Sequence, residues 1–300
     1  CGAVRDGCGA CVGCWHDERH EYARYAADGL SLVGVGRVAK YDIASAGKAS
    51  ATAKQAAHAE VGPDGAGGAA TKGVKAEAAV RDGVAAVDSA GRRELLEINA
   101  TVIADTPLGA LLGASRTAAM VCVGAVGLRH FEPGRIGSTA GALIAAAHCP
   151  VAVIRDGRRH TSAPSGWVVA ELDQTPDSAG VLQFAVEEAR LRRAPLRVLG
   201  TWQSEDHDPR TVAESNRVVR AQLDRRLETW KHRYPDLDVE PVAVRGSGLG
   251  YLADHAASIQ LVVIGARNTA GVAELLGAAG AAALRDTACS VLVVDPQRLL

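Results

Sequence analysis

The chain has 300 residues, a formal net charge of -1 and 48% hydrophobic residues, of which few are aromatic. The near-zero charge excludes a global field that would draw nucleic acid or an anionic membrane surface. The length accommodates two domains of about 150 residues, each able to bury an aliphatic core. The longest apolar run, Thr117 to Leu128, is too short to span a bilayer and reads as a helix end followed by a strand. No basic-then-apolar leader is visible, so export is not expected.

Residues 1–95 form an irregular segment. Cys1, Cys8, Cys11 and Cys14, with His16 and His20, have the spacing of metal or iron–sulfur ligands. No folded frame is evident around them, so a disordered or mistranslated leader is the preferred account. Gly29 to Val38 is the nearest strand-like run. Gly34-Val35-Gly36-Arg37-Val38-Ala39 within it echoes a dinucleotide turn, but no second strand follows. Ala, Gly and Lys then dominate. The segment reads either as an eroded first half of a domain or as an out-of-frame translation.

Residues 96–156 are readable as a half-domain. A strand around Ile98 is followed by a helix that Thr106-Pro107 opens as N-cap and first-turn proline. Leu108, Leu111, Leu112 and Ser115 line its inner face. A strand from Met120 to Gly124, an Ala-rich helix and a last strand from Cys149 to Ile154 complete it. The basic, Gly- and Pro-containing stretch Asp156 to Ser165 reads as a linker.

Residues 164–300 read as a complete domain. Strands are expected at Trp167–Leu172, Leu196–Trp202, Val239–Val244, Leu261–Ile264 and Ser290–Val294. Thr175-Pro176 opens the first helix, with Leu182, Ala185 and Ala189 inward. Val219, Leu223, Leu227 and Trp230 mark a second helix. Arg217, Arg220, Arg225 and Arg226 on that helix read as a solvated face offset by Glu214, Asp224 and Glu228. Leu249, Leu252, Ala253, Ala256 and Ala257 trace a third helix, and a last Ala-rich helix precedes the fifth strand. Strict alternation of strand and helix implies a doubly wound parallel sheet.

The two parts repeat one another. Met120 to Ala125 aligns with Leu261 to Ala266, Gly137 with Gly277, and Cys149–Ile154 with Cys289–Val294. A repeat this long means two copies of a domain. Cys122, Cys149 and Cys289 sit in or beside apolar runs and read as buried small hydrophobes of a reducing, cytoplasmic compartment.

The chemistry lies in one loop. Gly124-Ala125-Val126-Gly127 follows the strand directly, and after nine residues come Gly137-Ser138-Thr139 and a helix. Residues without Cβ let a ligand approach the backbone, and the helix start offers free N–H groups and partial positive charge to a phosphate. Ser138 and Thr139 add hydroxyl donors.

A strand followed by G-x2-G-x9-G-S/T resembles the ATP-binding signature of the universal stress protein family, here of a tandem, actinobacterial type. Cys149–Ile154 looks like the family's last strand, and Val168 to Pro176 like its first strand and acidic turn. The resemblance implies two tandem doubly wound parallel five-stranded sheets of the adenine-nucleotide alpha-hydrolase-like kind, the first irregular in its N-terminal half. It implies ATP, ADP or AMP as ligand, with or without magnesium, and little or no catalysis. It implies that the fifth strands pair the domains across a pseudo-two-fold axis, and that homodimers form. Val123, Gly124, Gly127, Gly137, Ser138 and Thr139 would contact nucleotide, as would Asp173, Gly265 and Gly277 in the second copy. The first copy's counterpart of Asp173 projects onto Leu32, with Asp42 a poor alternative.

The second copy departs from the pattern. Asn268 replaces the second glycine, the spacer is one residue short, and Ala278 and Ala279 replace the hydroxyls. Each lost hydrogen bond to a charged partner is worth about 1.5–3 kcal/mol, so one nucleotide in the first copy is expected and not two. Gly265 and Gly277 then simply make tight turns. The rivals are a tandem scaffold without nucleotide, a nucleotide hydrolase, and a metal protein built on the N-terminal cysteines.

Overall fold

The computed structural model describes residues 31–35, 49–56, 96–103, 106–124, 138–154, 166–173, 178–205, 208–284, 287 and 289–295. The first half comprises β1 (Ser31–Val35), β2 (Ala49–Ala56), β3 (Leu96–Ile103), α1 (Pro107–Ser115), β4 (Ala118–Gly124), α2 (Ser138–Ala146) and β5 (Val151–Ile154). The second comprises β6 (Trp167–Leu172), α3 (Ser178–Arg192), β7 (Leu196–Trp202), α4 (Pro209–Arg233), β8 (Val239–Arg245), α5 (Gly248–Asp254), β9 (Ile259–Gly265), α6 (Thr269–Leu276), α7 (Ala278–Ala283) and β10 (Ser290–Val294).

All ten strands join one sheet in the order β3-β2-β1-β4-β5-β10-β9-β6-β7-β8. Each half therefore repeats the order third, second, first, fourth, fifth. Every neighbouring pair is parallel except β5 and β10, which meet antiparallel with Leu292 opposite Ala152. The expected pairing of fifth strands is thus present within the chain, and it fuses two five-stranded sheets into one. It also removes two exposed sheet edges, where unpaired backbone would invite foreign strands. Because the halves run in opposite directions, the C-terminal ends of their strands lie at opposite edges of the layer.

Local chemistry explains the elements. Thr106 Oγ1 accepts from the Gly109 N–H at 3.1 Å, with Pro107 in the first turn of α1. Asp208 and Pro209 open α4 in the same manner, the carboxylate accepting from the Arg210 N–H at 3.0 Å. Central strands β6 and β9 are buried on both faces, which is why they read as continuous apolar runs.

Two cores flank the sheet, and both cross the seam. On one face Leu143, Val151 and Val153 of the first half join Ile264, Leu275 and Val291 of the second. On the other, Leu182, Ala185, Leu223 and Leu227 pack with Ala152 and Leu292, and Met120, Cys122 and Ile154 lean against them.

Four readings of the sequence are corrected. A second strand does exist in the first half: β2, Ala-Ser-Ala-Thr-Ala-Lys-Gln-Ala, lacks large apolar β-formers but pairs on both sides, with β1 and with β3. Sheet context overrides its weak propensity. Leu32 is not the counterpart of Asp173. It lies opposite Met120 as Val168 lies opposite Leu261, and Met120 and Leu261 are repeat equivalents. Leu32 therefore matches Val168 in mid-strand. Counting onward gives Arg37, outside the described residues, as the residue matching Asp173. The last helix is two helices broken at Gly277, where a Cβ would stand 2.7 Å from the Ala273 carbonyl oxygen. Arg226 is no mere surface charge: its guanidinium donates to the Asp173 carbonyl at 3.0 Å and to Ser178 Oγ, pinning the β6–α3 turn.

Candidate functional site

Strand order reverses between β1 and β4, and again between β6 and β9. In doubly wound sheets ligands bind outside the C-terminal strand ends at such switch points. The chain therefore offers two crevices, one at each edge of the layer.

At the first crevice β4 ends on Val123 and Gly124, with Val123 buried and opposite Val35 of β1. Ser138 and Thr139 are the first two residues of α2, which Ala140, Leu143 and Ile144 anchor in the core. A strand end and a helix start are thus both fixed at this edge. Gly127 and Gly137, and also Asp42 and the N-terminal cysteines, lie outside the described residues.

At the second crevice Asp173 follows β6, half-buried, and Gly265 ends β9. Gly277 is remote from Gly265, because α6 intervenes. Eight residues of helix span about 12 Å. Asn268 caps that helix: its Oδ1 accepts from the Gly271 N–H at 3.0 Å. Its Nδ2 donates to Glu171 Oε1 at 3.1 Å.

Glu171 escaped the sequence reading. Its side chain is 7% exposed at the C-terminal end of β6, beside the switch point. Gly246, at a φ of 85° that glycine tolerates, turns the chain into α5. Gly248 then approaches so closely that a Cβ there would lie 2.6 Å from Glu171 Oε2. A lone acid within the apolar run Trp-Val-Val-Ala-Glu-Leu was the available signal.

Burial raises the Glu171 pKa above the usual carboxylate range. The Asn268 hydrogen bond opposes that shift, and the negative charges of Glu274 and Asp173 add to it. The folded value therefore exceeds the unfolded one. Between the two the native state holds the extra proton, and stability falls as pH rises through that window. Glu171→Gln keeps the shape and an acceptor for Asn268 but cannot titrate. Its urea-unfolding free energy is expected to fall less than wild type over that window; equal slopes would show that Glu171 is not desolvated.

Cys122 and Cys149 show no nucleophilic poise. Burial pushes Cys149 up to about 11, and desolvation with nearby Glu188 and Cys149 pushes Cys122 up to about 12. Among the described residues no cluster of three or more His, Cys, Asp or Glu could hold a metal ion. Among them too, no helix is long and apolar enough to cross a membrane.

A doubly wound α/β unit, duplicated within one chain and fused through its fifth strands, defines a tandem α/β protein. The universal stress protein family model matches residues 30–155 and again 168–295. The chain belongs to that family. It is 42% identical over 233 residues to Universal stress protein Rv2028c of Mycobacterium tuberculosis, covering 78% of this chain and 81% of that protein. It is 37% identical over 220 residues to Universal stress protein Rv2624c of the same organism, covering 73% and 76%. A crystal structure of a universal stress protein from Archaeoglobus fulgidus superposes over 88% of this chain and 96% of that one. Its TM-score is 0.58 at 15% identity, a likeness of fold alone.

Proposed function

We propose that the chain is a stress-response regulator that binds one adenine nucleotide, ATP or ADP, in its first half, with little or no turnover. The observation that carries this reading is the glycine pattern between β4 and α2. The strand ends on Gly124 and the helix begins on Ser138 at the switch point of the first five strands. Phosphate there would meet backbone N–H groups, a helix N-terminus and the hydroxyls of Ser138 and Thr139. These groups bind and orient an anion; they abstract no proton. Elevated thiol pKa values at Cys122 and Cys149 fit a binding role. Cytoplasmic residence and homodimerisation belong to the same proposal and rest on the family resemblance.

Ser138→Ala removes one donor to a charged oxygen. ATP titrated calorimetrically into this variant is expected to bind roughly tenfold to a hundredfold more weakly than to wild type, since such a bond is worth about 1.5–3 kcal/mol. Unchanged affinity would remove this hydroxyl from the site. A chain that binds no ATP at all would favour the scaffold reading, in which the seam between β5 and β10 is the working part.

A further inference from the structure

We propose that Glu171 and Asn268 form a latch that closes the second crevice to nucleotides, so that the two halves of the chain are built for different states. This deepens the nucleotide reading for the first half but stands on separate observations. Both residues flank the second switch point, one at the end of β6 and one just past β9. The carboxyl group is buried and packs against Gly248, where a Cβ would lie 2.6 Å from Oε2. Asn268 uses both ends of its amide. Nδ2 holds the carboxylate and Oδ1 holds the first turn of α6.

The first half carries neither residue. Val35 lies opposite Val123 where Glu171 lies opposite Ile264, and Val123 and Ile264 are repeat equivalents. Val35 thus takes the place of Glu171. By the same repeat Gly127 takes the place of Asn268. The two differences occur together, and in the second half they touch. Neither Val35 nor Gly127 carries a charge or a hydrogen-bonding side chain. An acid and an amide bonded to it fill the space.

Asp173 and Glu274 both act on Glu171 by repulsion. A nucleotide entering this crevice would have to break the Asn268 bond and displace the Glu171 side chain from its packing. Asn268 alone would be a weaker obstacle, since it could turn outward and cap α6 in another rotamer; its bond to Glu171 makes the closure stable.

The experiment uses the full chain with labelled ATP in equilibrium dialysis at high protein concentration. In a Gly137→Glu background, which disables the first loop, the chain is expected to bind no measurable ATP. Adding Glu171→Val with Asn268→Gly, the pair found in the first half, is expected to make ATP binding measurable, though weaker than at the first crevice because Ala278 and Ala279 supply no hydroxyls. Glu171→Gln, close to isosteric and safe for folding, is expected to give a smaller increase by removing charge but not bulk. Binding by the Gly137→Glu parent that matches wild type would overturn the latch, since the second crevice would then be open. So would a folded Glu171→Val/Asn268→Gly variant that binds no more than its parent. If wild type binds no ATP while the opened variant does, the latch stands and the first-half site falls. If wild type binds and the opened variant adds nothing, the first-half site stands and the latch falls. If neither binds, both fall.

Discussion

Val153→Asp is expected to unfold both halves of the chain together. Val153 is fully buried on β5, opposite Val291 of β10, and belongs to the core cluster that spans the seam. Losing its aliphatic burial removes about 1.5–3 kcal/mol. An unpaired carboxylate in the same place adds an effective desolvation penalty of several kcal/mol. Together these approach the whole folding free energy of a domain, about 5–15 kcal/mol. The seam makes the effect global. Leu143 and Val151 on one side and Leu275 and Val291 on the other share this cluster, so neither half has a complete core without the other. Thermal unfolding followed by circular dichroism should show a single transition lowered by more than about 10 °C, at roughly 2–4 °C per kcal/mol for units of this size, or no folded state. Two transitions, with the second half melting as in wild type, would mean that the halves are independent domains in contact.

Gly137→Glu is expected to abolish ATP binding by the first half. Gly137 directly precedes Ser138, the first residue of α2. A phosphate held at that helix start would meet the new side chain in the space that glycine leaves open. The carboxylate would also take the favourable position at the helix N-terminus, competing for the same N–H groups. Steric exclusion, like-charge repulsion and occupied donors act in one direction. A loss of at least about a hundredfold follows, roughly 2.8 kcal/mol at 1.4 kcal/mol per decade. Calorimetry on a variant whose circular dichroism matches wild type reads it directly. Affinity kept within about threefold would move the nucleotide away from this loop.

The second half was legible in the sequence almost strand for strand because its central strands are covered on both faces. Trp167–Leu172, Leu196–Trp202 and Ser290–Val294 stand in the structure with the bounds their apolar runs imply. The first half was legible at β4 and β5, where the same condition holds, and also at the strand around Ile98, the Thr106-Pro107 helix start and the run that holds β1. β2 was not, because alternating Ala with Ser, Thr and Lys carries no burial signal, and only its neighbours make it a strand. The register of β1 was not legible either, since the repeat spacing that holds from Met120 onward does not extend back to Leu32.

At the sites, the glycine loop was legible as a pattern, and its strand and helix boundaries stand where the pattern requires. The closure of the second crevice was not. Asn268 read as a missing glycine, a loss of function by subtraction. Glu171 and Asn268 are ninety-seven residues apart in sequence and meet only at the switch point, which no local spacing reports. Arg226 was hidden for a similar reason. Its helix position is indistinguishable from that of its solvated neighbours until the Asp173 carbonyl is placed beside it.

The most direct measurement is the number of ATP molecules bound per chain, counted by native mass spectrometry and by the calorimetric stoichiometry of the unmodified protein. One ATP per chain, lost in Gly137→Glu, is the result this account predicts. None would contradict the nucleotide site between β4 and α2, and two would contradict the closed second crevice.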